Sequence, residues 1–251
     1  NEGNEVAQFG LTNLSTSGGA SIGSPSNVDL SIIDDDQTFA DARTALRNGN
    51  AEEVILEGTV SRAYGSYARF QDESGATGAT GLVVRQTSGP LSADFQADIQ
   101  NGNIQPGTML RVRGTLSQFS GLVQLNGSDV VGYQVMGQGN PPTPQTVSLS
   151  DLAAPGGEDY ESELLRITGL TFPNASGTFE ADTGYEVSDG SNTMTFYVQS
   201  TAQSTLSGES VPTGSFTYEG VLGQFNSFSG VDTDEGYQLI PVRPETALPV
   251  E

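Results

Sequence analysis

The chain has 251 residues, with 31 acidic side chains against 9 basic ones and a formal net charge of −22; every base is arginine, and histidine and cysteine are absent. So acidic a surface repels the phosphates from which nucleic-acid binders draw most of their affinity, and it repels an anionic membrane for the same reason. Without histidine or cysteine there is no disulfide, thiol nucleophile, histidine base or zinc site of the usual ligands, which excludes triad hydrolases and zinc enzymes.

A glycosidase-type carboxylate pair is the enzyme chemistry left open. The paired acids Glu52–Glu53 and Asp72–Glu73 are sequence neighbours, and neighbours on a strand point to opposite faces, so they read as surface charge. Gly 32 and Pro 12 point to many turns and little helix. No apolar run approaches the ~18 residues of a membrane-spanning helix. The N-terminus lacks a signal peptide's basic and apolar regions, and Asn1 in place of an initiator methionine reads as the start of a processed or trimmed chain.

Residues 6–33 form short alternating stretches, VAQFGLTNL and ASIGSPSNVDLSII, around the turn cluster Ser15–Gly19. They read as two or three strands with Val28, Leu30 and Ile32 on one face, ended by the run Asp34, Asp35 and Asp36. Residues 37–49 form the clearest helix: Phe39, Ala42 and Leu46 keep helical spacing, Thr38 can cap the start, and Gly49 suits a left-handed C-terminal cap. From Val54 the pattern is strands between glycine-rich turns: VILEGTVSRAY, SYARFQD, GLVVRQ, MLRVRGTLSQFSGLVQL and YQVMG. GNPPTPQ at 139–145 is a proline-rich break and the best domain boundary. Strand patterns then resume with LLRITGLTF, YEVSDG, MTFYVQS, FTYEGVLGQFNSFSG and YQLIPV.

The second series repeats the first. GTLSQFSG at 114–121 matches GVLGQFNSFSG at 220–230, ARFQDESG at 68–75 resembles YEVSDGSN at 185–192, and YQV at 133–135 matches YQL at 237–239. The offsets are unequal, as expected of one architecture used twice with loops of different length. About five strands in roughly 100 residues suits a small Greek-key barrel of the OB type. The expected fold is all-β: a strand arm at 1–36, an OB-like barrel with one short helix at 37–138, a linker at 139–145 and a second barrel at 146–251.

IQPG at 104–107 followed by RVRGTLSQFSGLVQL resembles OB-fold modules of secreted bacterial proteins. The second copy is similar but looser, with VPTG at 211–214 where IQPG is wanted. GGASIGSPSNVDLSIIDDD at 18–36 resembles the C-terminal end of a Calx-beta domain, and ALPVE at 247–251 is similar to the linker before the sorting domain of type IX secretion substrates in the Bacteroidota. These resemblances imply an exported protein at the cell surface or outside it, with only the last strands of a sandwich preceding the barrels.

Three groups of residues are candidates for function. Arg62, Tyr64, Tyr67, Arg69, Phe70 and Phe119 are the bases and aromatics with which an OB face meets a ligand, against the plainer reading that arginines pair with carboxylates and aromatics fill the core. Asp34, Asp35 and Asp36, with Asp232, Asp234 and Glu235 in VDTDEG, offer the hard oxygens that suit calcium, against a solvated strand end and a polar hairpin. Val6, Phe9, Leu11, Val28, Leu30 and Ile32 are the apolar positions of an arm too short to bury them alone. From these follows the expectation of a non-enzymatic extracellular structural protein, a filament or matrix subunit that adds its N-terminal strands to a neighbouring copy. The alternative is a secreted OB module binding polysaccharide or nucleic acid for an attached enzyme. No cofactor is expected apart from calcium. The acidity suits high ionic strength, where screening lets like-charged copies meet.

Overall fold

The computed structural model describes residues 5–10, 27–32, 37–72, 79–174, 176–226 and 235–241. Strand dominates. An antiparallel pair joins β1 (Glu5–Gly10) to β2 (Asn27–Ile32), with Ala7 opposite Leu30 and Phe9 opposite Val28. Among the described residues this pair belongs to neither of the two larger sheets.

α1 (Phe39–Arg47) lies where helical spacing predicts it. Thr38 accepts from the Asp41 amide, Asp41 reaches back to Thr38, and Gly49 takes a φ of 74° just past the end. The helix lays Phe39 and Ala42 on the core of the first large sheet, where Phe39 meets Phe70 edge-on at 4.8 Å. That sheet comprises β3 (Glu53–Tyr64), β4 (Tyr67–Gln71), β5 (Gly81–Arg85), β6 (Thr108–Thr115), β7 (Ser117–Phe119), β8 (Leu122–Asn126) and β9 (Val130–Gln138), in the order β7-β8-β5-β4-β3-β6-β9. A second helix, α2 (Ser92–Gln100), corrects the expectation of a single one; it buries Phe95, with Leu91 and Ile99 packed against the same core.

Residues 139–144 cross from β9 to the second large sheet. Its strands are β10 (Gln145–Thr146), β11 (Leu164–Leu170), β12 (Thr183–Ser188), β13 (Thr193–Val198), β14 (Phe216–Gln224) and β15 (Tyr237–Pro241), in the order β10-β11-β14-β15-β13-β12. Its core is aromatic, with Phe172 stacked on Phe216 and edge-on to Phe179 and Phe196.

The two sheets share one connectivity. Five strands of the first run β8-β5-β4-β3-β6, and five of the second run β11-β14-β15-β13-β12. Both are the same ring of five strands, opened between fourth and fifth in the first case and between first and second in the other. In each ring the third and fifth strands are the parallel pair, β5 with β8 and β13 with β15. Neither ladder closes, because a strand has only two edges. β6 gives its free edge to β9, and β11 gives one to β10, so among the described residues β12 reaches the first strand only through the isolated bridge Thr171–Ser188. The closed barrels expected from sequence are therefore open sheets.

The repeat survives with one correction. Gly114 on β6 and Gly220 on β14 hold equivalent fourth strands. Tyr133 lies on the edge strand β9, whereas Tyr237 lies on the interior strand β15. The true counterpart of Tyr237–Leu239 is Val123–Leu125 on β8: Gln124 pairs with Val83 of β5 as Gln238 pairs with Thr195 of β13.

Candidate functional site

A bulge at Ser61 decides what the first sheet does with its arginines. Val60 pairs with Phe70 and Arg62 with Arg69, so residues 61 and 62 together oppose Arg69. Strict alternation would send Arg62 to the core side with Val60; the extra residue turns it to the opposite face, beside Arg69. Arg62, Tyr64, Tyr67, Arg69 and Arg85 thereby share one face of β3, β4 and β5.

Most of that face is covered by the second sheet. Arg62 donates from Nε to the Pro241 carbonyl (2.9 Å) and from a terminal nitrogen to the Gln203 carbonyl (2.7 Å). Arg69 donates to Ser162 Oγ (2.6 Å) and to the Leu222 carbonyl (3.3 Å). Burial pulls the Arg62 guanidinium down to about 9, with Arg69 adding to the effect, and pulls Arg69 down to about 10. Arg62, Arg69 and Phe70 are thus not surface groups: the arginines are buried between the sheets and Phe70 is in the core. Against them the second sheet presents a row of Leu164, Val221 and Ile240, on the side of β11, β14 and β15 away from its own core.

Acidic residues complete the junction. The loop 156–163 brings Glu158 and Glu161 to Arg43 of α1, with Arg43 to Glu161 at 2.8 Å and Glu158 shared by Arg43 and Arg47. Burial alone would lower the Arg43 guanidinium, but Glu161 and Glu158 more than offset it and the net direction is up. Burial raises Glu161, although Arg43 and the Val123 amide act against it. Burial also lifts Glu163 to about 7, even though the Thr80 amide (2.8 Å) and hydroxyl (2.7 Å) both donate to it. Gly81 allows a close backbone approach; a Cβ there would lie 2.6 Å from the Ser162 carbonyl carbon and 2.7 Å from Glu161 O and Glu163 N. Sequence reasoning missed Arg43, Glu158, Glu161 and Glu163, because nothing in local pattern says that residues 83 to 118 positions apart meet.

Beyond the covered area one cluster stays partly open. Arg85 donates to Tyr67 Oη (2.7 Å) and Asn126 Oδ1 (3.0 Å), and its guanidinium carbon sits 5.8 Å and 5.9 Å from the ring centres of Tyr67 and Phe119. Phe119 is 56% exposed. Of the expected ligand group, the structure brings Tyr67 and Phe119 together here, with Tyr64 opposite Tyr67 in the strand pair.

The other arginines of the described residues are paired: Arg111 with Glu57, Arg113 with Glu53 and Arg166 with Glu219. No run of unengaged bases lies across any described strand. Asp34, Asp35, Asp36, Asp232, Asp234 and Leu11 lie outside the described residues, while Glu235 precedes β15 and its carbonyl accepts from Gln224. The β1–β2 register places Ala7, Phe9, Val28, Leu30 and Ile32 on one face of the hairpin together with Glu5, and Val6 on the other, with Gln8, Asp29 and Ser31. No family model matches the chain, and no curated protein matches it.

Proposed function

We propose that the chain is a non-enzymatic, exported structural protein: two OB-like units locked into one rigid body that polymerises through its N-terminal hairpin. The observation that carries this reading is the β1–β2 pair, which among the described residues belongs to neither large sheet and sets five apolar positions, with Glu5, on one face. A two-stranded hairpin is marginal in water unless a third strand or a second layer covers it. The OB-like assignment draws on the shared five-strand ring with its parallel third and fifth strands. Rigidity draws on the buried ionic junction, which suits a load-bearing subunit. The test is deletion of residues 1–36, followed by sedimentation and negative-stain microscopy in ~1 M salt, where the Debye length is about 3 Å. Polymers from the full chain and monomers from the truncated one support the reading; polymers from both, or from neither, overturn it.

A second reading, a module that holds polysaccharide, is favoured by Arg85 clasped between Tyr67 and Phe119. Aromatic faces with a single cation suit sugar rings without demanding net positive charge. A glycan array decides it: binding that falls at least tenfold in Tyr67→Ala and Phe119→Ala supports this reading, and signal unchanged by both substitutions removes it.

A further inference from the structure

The geometry points to the outer edge of β9 as the acceptor for the N-terminal hairpin of a second copy of this chain, an assignment that rests on the strand-addition reading above. Among the described residues four strands form the edges of the two large sheets: β7, β9, β10 and β12. β7 and β10 are three and two residues long, too short to template a partner. β12 carries Glu186 and is flanked by Asp182 and Asp189, so a second copy of a chain with net charge −22 meets like charge there. Short edges and charged edges are two of the ways sheets avoid unwanted pairing, with bulges a third.

β9 is neither short nor charged. It is nine residues long, VVGYQVMGQ, without a charge or a proline. Val131 is 53% exposed, Val135 38% and Met136 45%, and Met109 on the adjacent β6 is 50% exposed. Register shifts fall at Val131 and Met136, leaving Gly132–Val135 as a regular stretch between them. Grooves run along both sides of the strand. One, of about 710 Å³, is lined by Asp98, Asn103, Gln105 and Val135; the other, of about 200 Å³, by Ile55, Arg111, Arg113 and Gln134. An added strand sends alternate side chains to its two faces, and these grooves lie where they would go.

Charge selects the occupant. The two longest uncharged runs in the chain are 6–28 and 130–150. The first holds β1 apart from Glu5, whereas β2 carries Asp29, so β1 is the strand of the hairpin set against β9, and the second run holds β9 itself. Where two copies of so acidic a protein approach, those are the segments that meet without carboxylate facing carboxylate. The hairpin register collects Ala7, Phe9, Val28, Leu30 and Ile32 at alternate positions, and among the described residues β9 has an unpaired ladder edge beside exposed apolar side chains. Hairpin of one copy on β9 of the next is a heterologous contact, which propagates as a fibre when its rotation does not close.

The absence of native cysteine makes the test direct. Full-length chains carrying Val135→Cys are mixed with chains carrying Ala7→Cys, Gln8→Cys or Leu30→Cys in ~1 M NaCl and mildly oxidised. Disulfide-linked heterodimers at least tenfold above either variant alone are expected from at least one hairpin position. Val135→Glu should raise the concentration for half-assembly at least tenfold with an unchanged melting temperature, and Val135→Thr, uncharged and strand-forming, should restore it. If polymers form but the hairpin cysteines link only to Glu186→Cys on β12, or to no strand edge, and Val135→Glu assembles normally, the assignment to β9 is overturned while strand addition stands. If removing the hairpin leaves the polymers intact, or the full chain forms none, both are overturned.

Discussion

Replacing Arg43 by methionine tests whether the ionic junction holds the two units together. The Arg43 side chain is 2% exposed and Glu161 is fully buried. With the guanidinium gone, Glu161 keeps one donor, the Val123 amide at 3.2 Å, while its Oε2 already has no hydrogen-bond partner. Glu158 still has Arg47. Breaking a buried pair from one side costs about 3–5 kcal/mol. Protonation of Glu161 caps that cost. Taking a carboxyl with an ordinary unfolded value of 4.5 into the fold as the neutral acid costs about 3 kcal/mol at pH 7 and under 1 kcal/mol at pH 5, at about 1.4 kcal/mol for each tenfold in proton affinity. Loss of the bond from Arg43 to the Gly81 carbonyl, 3.2 Å, adds about 1 kcal/mol at either pH. Because burial already raises Glu161 in the parent, these are ceilings: Arg43→Met should lose at most about 4 kcal/mol at pH 7 and at most about 2 kcal/mol at pH 5, with the melting temperature lowered by up to about 10 °C at pH 7. Urea unfolding followed by circular dichroism and tyrosine emission reads this, since tyrosine is the emitter in a chain without tryptophan. Adding Glu161→Gln should recover most of the pH-dependent part. A loss below 1 kcal/mol that is the same at both pH values would refute the reasoning.

Glu163 gives a pH dependence of defined sign. Its carboxyl is raised to about 7 in the fold from 4.5, so its contribution is complete below pH 4.5 and is lost as pH rises through 7, about 3 kcal/mol in all. Urea midpoints between pH 5 and pH 8 should fall with rising pH and flatten in Glu163→Gln, which keeps an oxygen for Thr80; a slope unchanged in the variant defeats this. Gly81→Ala should cost over 2 kcal/mol, because the atoms its methyl group meets are backbone on a different segment and cannot swing away; a calorimetric shift under 2 °C would contradict the close approach. Gly65→Ala should also destabilise: its φ is +60° and its Cβ would meet the Ala202 carbonyl oxygen at 2.4 Å, and thermal melting tests it. A variant as stable as the parent would place that contact elsewhere.

Much of this fold is legible in local pattern. Strand alternation, the capped helix from Phe39 and the proline-rich crossing after β9 all lie where turn chemistry and periodicity put them, since each is a short-range property of the backbone. α2 carried only a weak signal: Leu91, Phe95 and Ile99 keep helical spacing, but only Phe95 is fully buried. The repeat was readable at Gly114 and Gly220, but the match of Tyr133 with Tyr237 was misleading, because similar tripeptides occupy an edge strand in one sheet and an interior strand in the other.

Composition settled what chemistry is out of reach, because a chain without histidine, cysteine or lysine cannot place those groups anywhere in space. Alternation likewise determined which residues can share a strand face. Whether a shared face meets a ligand or another sheet is a different matter. It depended on one bulge at Ser61 that turned Arg62 toward Arg69, and on carbonyls at Leu222, Gln203 and Pro241 that arrive from far along the chain. Two buried arginines find partners there that no local pattern encodes, and so the part of the expected ligand stripe that holds Arg62 and Arg69 is, in the folded chain, the seam between its two halves, while Tyr67 and Phe119 stay with the partly open cluster at Arg85.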